Sequence, residues 1–531
     1  MTGTYQSLWA SFTAEAEIGD RWLGVLDAFD DGDETPAPGD GTFPGLEGAQ
    51  AATLDALPDE IARRLADEVD PGQAAMFARR FQAVVALLDR LSATRPEARL
   101  LRSGLVTRAD GILHAPPPLA LRIRSLVDFY YSNAAVLHHQ ERLASAGQTP
   151  RPLAALMEAA PWQKVSPGLF HRRIAGDGPQ GPVHVNALRF DPRRFTFRTM
   201  DLLEQGRSKE PFGEVARDAG AIAAISGGFF LYSEHDIEPP CQRYDPVGML
   251  VSAGAVRWPP VFRRGAFLQD ARGHCHIREV SLAGTVIRGA ADLLVAAVNP
   301  RIRRVEAPTA FTRVWSTTVL HPGPSLTFYR GTVTSRGDGG AHPIPLNGFV
   351  LCLPDRPEWR GLADAFPVGS EVTYLLPDHG GAAPIRDAVA AGPVLVRGGH
   401  RVLDLEGEDF VPGVPPATFS GDETSDRNLL PRLAAGLTAN HDVVFAAVDG
   451  RNFGAALGMT LRDTARLMVA LGCVDAVNLD GGSSKRMVLQ GQVLDLATTE
   501  VVGQDAPQDE QPTRPVHTGL FVFDESMDNG S

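Results

Sequence analysis

From about Ser166 onward the chain is a succession of short apolar or alternating runs, each stopped by turn residues: VHVNALRFD, FTFRTMD, AIAAISGGFF, GMLVSAGAV, GFVLCL, EVTYLL, GPVLVRGG, VVFAAVDGR, VDAVNLDGG and TGLFVFD. Runs of this length and composition are strands. One helix stands clear among them. It begins at Thr460 as N-cap with Asp463 three residues on, continues through Leu461, Ala465, Met468 and Leu471, and stops at Gly472. An α+β fold follows, with a mixed β-sheet domain and flanking helices over residues 165–525.

Residues 1–160 read differently, as a mainly helical accessory domain. Asp70 and Pro71 make a cap and first-turn pair ahead of Phe77, Phe81, Val84, Leu88 and Leu91, which form one apolar stripe. A second stripe runs through Leu119, Ile123, Leu126, Tyr130, Ala134 and Leu137 after the breaker Pro116 to Pro118. Asp31 to Gly48, rich in Gly, Pro and acid, reads as a loop. This helical region is the expected seat of any homo-oligomer contact or protein partner.

At 531 residues, 44% hydrophobic and 21% charged, the chain has the length and composition to bury a sizeable core. Its net charge of −14 argues against nucleic acid as a partner, because phosphate backbones are held by clustered Lys and Arg. The acid gathers in Asp27 to Glu34 and Asp505 to Glu510, which leaves room for a local basic pocket that takes one phosphate. Cys241, Cys275, Cys352 and Cys473 form no CxxC pair and suit free, mostly buried thiols in a reducing compartment. No secretory segment opens the chain, and no apolar stretch approaches the roughly 18 residues of a membrane span. A cytoplasmic protein with no membrane partner is the expectation.

The densest chemistry lies between Val443 and Gly491, where the runs VVFAAV and DAVNL each end in Asp-Gly with the Thr460 helix between them. A strand, helix, strand unit brings both strand ends to one sheet edge, so Asp449 and Asp480 are expected at a common rim. A lone Asp-Gly is an ordinary turn. Two of them, with Arg451 beside one and Gly481, Gly482, Ser483 and Ser484 after the other, point to a site. A pair of carboxylates suits glycosyl transfer chemistry, in which one group assists departure and the other stabilises positive charge or activates water. Asn478 shares the rim and is grouped with the two aspartates as a catalytic candidate.

The glycine-serine run can turn N–H groups and hydroxyls toward phosphate oxygens. Arg432 and Arg451 are candidate phosphate clamps, and Thr460 joins them as a binding residue. Ser226, Gly227 and Gly228 interrupt an apolar strand before Phe229 and Phe230, a place where ligand approaches backbone and an aromatic stacks on a sugar, or else a bulge in a core strand. Lys485 and Arg486 alternate, so at least one is expected to face solvent. Glu234, His235 and Asp236 are reserve candidates for acid, base or cation ligand. His274 and His276 share a strand face but lack a partner pair with ligand spacing, and His138 with His139 reads as the polar end of a helix. No cofactor is assigned, and a divalent cation is the one left open.

The segments ISGGFF, AAGPVLVRGG, PRLAAGLTANHDVVFAAVDGR, LGMTLRDTARLMVALGCVDAVNLDGGSS and RPVHTGLFVF occur in the order seen in the phosphodiester glycosidase family, which this chain resembles over about residues 165–525. The resemblance implies hydrolysis of a sugar 1-phosphodiester, a small glycophosphate or glycan substrate, to free sugar and a phosphomonoester. Bacterial members are the nearer analogy. The chain departs from the family pattern at Ser226, where Asn is usual, and at Ser483 and Lys485, where Gly and Ser are usual. These changes motivate an alternative, a glycophosphate or nucleotide-sugar binder that kept the scaffold and lost the chemistry.

Overall fold

The computed structural model describes residues 51–66, 71–113, 119–231, 242, 244–301, 304–377, 383–410, 428–452, 455–496 and 515–525. The acidic runs, the Asp31–Gly48 loop, Asp70, the Pro116–Pro118 breaker, Glu234, His235, Asp236 and Cys241 lie outside the described residues. The chain divides into two compact units, Met1–Thr53 and Leu54–Ser531, and the fold below is that of the second.

Both predicted helical stripes form helices, Pro71–Leu91 and Leu119–Ser145, with a third, Pro96–Leu113, between them. Phe77, Phe81, Val84, Leu88 and Leu91 are all buried, as the spacing requires. No helix among the described residues is long and apolar enough to cross a membrane. Helices persist as far as Leu153–Glu158, and strands begin at Gln163–Ser166.

The principal sheet has eight strands in the order Gln163–Ser166, Leu169–Asp177, Pro182–Phe190, Val443–Val448, Arg432–Thr438, Cys473–Leu479, Val394–Arg397 and His400–Arg401. Every neighbouring pair in it is antiparallel. The expected mixed sheet is thus corrected to an antiparallel one. A single parallel pair, Ala297–Val298 with Thr309–Phe311, occurs elsewhere among the described strands. The reason is the strand Arg432–Thr438, which lies between Val443–Val448 and Cys473–Leu479 and runs opposite to both. The helix crossover passes over it, so the two outer strands stay parallel to each other without touching, and their C-terminal ends share an edge.

Alternation sorts the sheet's two faces. Leu433, Ala435, Phe445, Ala447, Leu188 and Leu479 pack against Phe197, Ile225, Met487 and Leu520 of a second sheet and Phe267 and Val389 of a third. The ring of Phe445 meets those of Phe190 and Phe267 edge to face, at 5.3 and 5.8 Å. Complete burial of such a ring contributes on the order of 2–3 kcal/mol. The opposite face, with Ala434, Val444, Ala446 and Ala476, carries Leu461, Ala465 and Met468 of the helix Leu461–Ala470. That helix starts as read. The Thr460 hydroxyl accepts the Asp463 N–H at 3.1 Å and donates to the Asp463 carboxylate at 2.6 Å.

The second sheet has the order Gln492–Val493, Met487–Leu489, Ala223–Ser226, Thr518–Asp524 and Phe195–Asp201, again antiparallel throughout. It lies over the strand ends that carry the candidate residues.

Candidate active site

Register places the rim. Arg432 pairs with Val448 and Leu433 with Leu479, so one step outward Asp449, Arg432 and Asp480 occupy neighbouring strand ends. The Asp480 N–H donates to the Gly227 carbonyl at 3.0 Å, and the Gly227 N–H donates to the Thr518 carbonyl at 2.8 Å, which ties the ISGGFF turn to the same edge. Gly481 is there for closeness: a Cβ on it would come within 2.5 Å of the Pro431 carbonyl oxygen. Gly227 is held in the same way, since a Cβ on it would come within 2.5 Å of the Thr518 hydroxyl.

The glycine-serine run folds as a 3-10 turn, Gly482–Ser484. Several amides of the expected anion cradle are used within the protein. Gly482 N–H bonds Pro431 O at 2.9 Å and Gly228 N–H bonds the Thr518 hydroxyl at 3.0 Å. The Ser226 hydroxyl accepts the Arg486 N–H at 3.0 Å. Thr460 spends its hydroxyl on the helix start. Asn478 donates its amide to the Gly392 carbonyl at 2.9 Å and so braces the strand entering at Val394. Arg432 is buried, with Nε on the Met459 carbonyl at 3.0 Å and Nη2 on that of Asn428 at 3.1 Å. Arg451 is buried with its backbone in the left-handed region, φ +52.

Lys485 and Arg486 correct the alternation argument, because both are buried. They link a 3-10 turn to the strand Met487–Leu489, so strand alternation does not sort them, and Arg486 bonds Ser226 through its backbone. The Lys485 ammonium, 0% exposed, bridges Asp449 at 2.6 Å and Asp495 at 2.7 Å. Asp449 also accepts from His184 Nδ1 at 2.5 Å and from the Leu496 N–H at 3.2 Å. Arg173 Nε donates to His184 Nε2 at 2.8 Å, so that nitrogen is an acceptor and the imidazole proton sits on Nδ1, directed at Asp449. Asp495 accepts the Met487 N–H at 2.7 Å.

This buried cluster separates its two carboxyls. Burial opposes ionisation of Asp449, but the Lys485 charge and the His184 and Lys485 hydrogen bonds outweigh it and hold the carboxyl below its usual value. Burial pushes Asp495 up, and the Asp449 charge adds to the push against the pull of Lys485. Burial alone would lower Lys485, yet the two carboxylates raise it. One ammonium thus serves two carboxyls whose environments push them in opposite directions, Asp449 down and Asp495 up. Sequence reasoning found neither His184 nor Asp495. His184 meets Asp449 across 265 positions, and no local spacing signals such a pair.

The remaining candidates lie apart. His274 and His276 flank the Asp270 carboxylate at 3.6 and 3.3 Å on the third sheet. His139 bonds the Gly178 carbonyl at 2.8 Å, at a cavity of about 300 Å³ lined also by His138, Arg142 and Asp177. Among the described residues, no cluster of three or more His, Cys, Asp or Glu has the geometry to hold a metal ion. Cys352 and Cys473 are buried free thiols and Cys275 is half-buried.

A family model for phosphodiester glycosidases matches residues 332–523. The segment matched by the glycosidase family model contains both Asp-Gly strand ends, Arg432, Arg451, the 3-10 turn and Asp495, whereas Ser226 to Phe230 and His184 precede it. No curated protein matches the chain. Among solved structures, a protein from Synechocystis described as hypothetical is similar at 21% identity, covering 69% of this chain and 64% of that one, TM-score 0.44. The chain therefore spans about 64% of that protein's length. The zebrafish N-acetylglucosamine-1-phosphodiester alpha-N-acetylglucosaminidase catalytic domain, auto-inhibited by its pro-peptide, is 13% identical over 70% of this chain and 94% of that one, TM-score 0.36.

Proposed function

We propose that the protein hydrolyses a sugar 1-phosphodiester, breaking the bond between the anomeric carbon and the phosphate oxygen and releasing free sugar and a phosphomonoester. Water supplies the hydroxyl that ends on the anomeric carbon, and its proton passes to a carboxylate. The observation that carries the reading is the row of strand ends within the glycosidase segment, where Asp480 stands beside the buried Arg432. A phosphate monoester leaves far more readily than a sugar alkoxide, so such a site needs anion stabilisation more than a strong acid. Four buried cations, Arg432, Arg451, Lys485 and Arg486, against the carboxyls Asp449, Asp480 and Asp495 give the described part of the rim that bias.

Asp480 takes the reacting role, as the base for water or the charge facing the developing oxocarbenium ion. Asp449 has its oxygens engaged by Lys485, His184 and Leu496, so it acts through that cluster by fixing the positive charges of the rim. Incubating the full chain with a panel of sugar 1-phosphodiesters and quantifying free sugar tests the reading. Release of sugar from at least one member, reduced about a hundredfold in a folded Asp480→Asn variant, is expected. No turnover on any member, or unchanged turnover in the variant, defeats it.

The Lys485 ammonium seated on Asp449 favours a second reading, a glycophosphate binder without turnover. Thermal stabilisation by a sugar 1-phosphate with no release of sugar from any diester supports it.

A further inference from the structure

The sequence pattern offers Phe229 and Phe230 as sugar-stacking aromatics, but Phe230 is buried and Phe229 packs edge to face on Phe410. Among the described residues, Tyr244 is an aromatic beside them that reaches solvent. We propose that Tyr244 is the platform on which the pyranose ring of the substrate lies, a sugar-stacking subsite on the Asp480 side of the rim; that its ligand is a sugar rests on the glycosidase reading above.

After the Gly227–Gly228 break, Phe229 to Leu231 pairs with the segment ending at Val247. Val247 N–H bonds Phe229 O at 2.7 Å, Leu231 N–H bonds Asp245 O at 2.8 Å, and Tyr244 N–H bonds Leu231 O at 2.8 Å. The next side chain, Asp245, is buried and accepts the Tyr329 hydroxyl. Tyr244 is therefore held at the end of a fixed ladder, and it is held in the left-handed region, φ +72, where a bulky side chain is seldom found.

That backbone lays the phenol ring flat on the His517 imidazole, with centroids 5.2 Å apart and planes 27° apart. Phe230 meets the same imidazole at 4.2 Å. His517 is buried, while Tyr244 is 41% exposed. One face of the tyrosine lies against the imidazole, and the residue as a whole stays 41% exposed. A pyranose has one apolar C–H face and a rim of hydroxyls, which suits a flat, half-exposed ring that ends in a hydroxyl.

The platform is also joined to the rim by an unbroken chain of contacts. Thr518, next to His517, accepts the N–H groups of Gly227 and Gly228, and the Gly227 carbonyl accepts the Asp480 N–H. A sugar seated on Tyr244 lies along the same turn that fixes Asp480.

The test is saturation-transfer NMR on the full chain with a mixture of methyl N-acetyl-α-glucosaminide, methyl α-glucoside and methyl α-galactoside, run beside turnover of the diester panel. Tyr244→Gly removes the ring and suits the positive φ, so the variant keeps its fold, and a wild-type melting profile confirms that. At least one glycoside is expected to bind wild type, to bind about tenfold more weakly to Tyr244→Gly, and to keep its affinity in Tyr244→Phe. Binding to Tyr244→Gly as tight as to wild type, or no glycoside bound by wild type, overturns the subsite. If diesters turn over with the same KM in Tyr244→Gly, the subsite fails and the hydrolase stands. If a glycoside binds through Tyr244 and no diester turns over, the hydrolase fails and the subsite stands.

Discussion

Asp449 and Asp480 carry the same local signature, an apolar strand followed by Asp-Gly, and both are buried, but the fold packs different elements against their strand ends. The end of Val443–Val448 faces the second sheet, where Lys485, Asp495 and the Leu496 amide meet it and His184 closes it from the neighbouring strand. The end of Cys473–Leu479 turns instead against Gly227 and the Pro431 carbonyl, with the 3-10 turn just beyond it. A short motif thus fixes where a carboxylate stands in a sheet, and the elements packed on that strand end decide what the carboxylate does.

The sharpest break to this contrast is Lys485→Ala. Removing a buried ammonium from between Asp449 and Asp495 is expected to cost about 3–5 kcal/mol, read by chemical denaturation, because two carboxyls lose their counter-ion in a dry interior. Lys485→Met restores volume and separates packing from charge. The sign with pH is fixed by the raised Lys485 value. Burial lowers it, but Asp495 and Asp449 prevail, so the contribution is full below the ordinary lysine value of about 10.4 and is lost as pH climbs through the higher folded value. Wild type is expected to shed stability in that alkaline range, and Lys485→Met is expected not to. A flat alkaline profile in wild type would show that the pair does not act as drawn.

Asp480→Asn comes next, with turnover of the best diester falling about a hundredfold and denaturation midpoints close to wild type. Asp449→Asn is expected to invert that pattern, with stability lost first. Equal losses of activity and stability in both variants would erase the distinction between the strand ends.

His184→Ala takes the donor from one oxygen of Asp449 and is expected to cost about 1–3 kcal/mol. The smallest effect belongs to Thr460→Ala. Loss of the cap on the helix Leu461–Ala470 costs about 1 kcal/mol of stability, and KM is expected to stay as in wild type. A change in KM there would return Thr460 to the substrate-binding residues.

Local signals were legible where local physics decides. The run VHVNALRFD became Pro182–Phe190, TGLFVFD became Thr518–Asp524, and the Thr460 cap with the Gly472 stop bounded its helix. The common edge of Asp449 and Asp480 followed from the crossover alone. The partner strand between them did not, because a crossover rule says nothing of what it passes over, and Arg432–Thr438 made the sheet antiparallel. The expectation that at least one of Lys485 and Arg486 faces solvent fails because alternation assumes a strand, whereas both follow the turn Gly482–Ser484, and the carboxylates that hold the lysine come from Asp449 and Asp495. Tyr244 gave no sign, since its value lies in one dihedral angle and in a histidine 273 positions later in the chain.

The position of Thr518–Asp524 has a consequence for synthesis. This strand, almost the last described segment, is inserted between Ala223–Ser226 and Phe195–Asp201, and it supplies the grip on Gly227 and Gly228. Those two earlier strands leave the ribosome roughly 300 residues before their common neighbour and wait with unpaired edges, the kind of surface that invites pairing with another chain. A nascent chain arrested before Thr518 therefore has no finished rim and two adhesive strands, and its survival depends on how quickly the final segment arrives or on a chaperone that covers the gap.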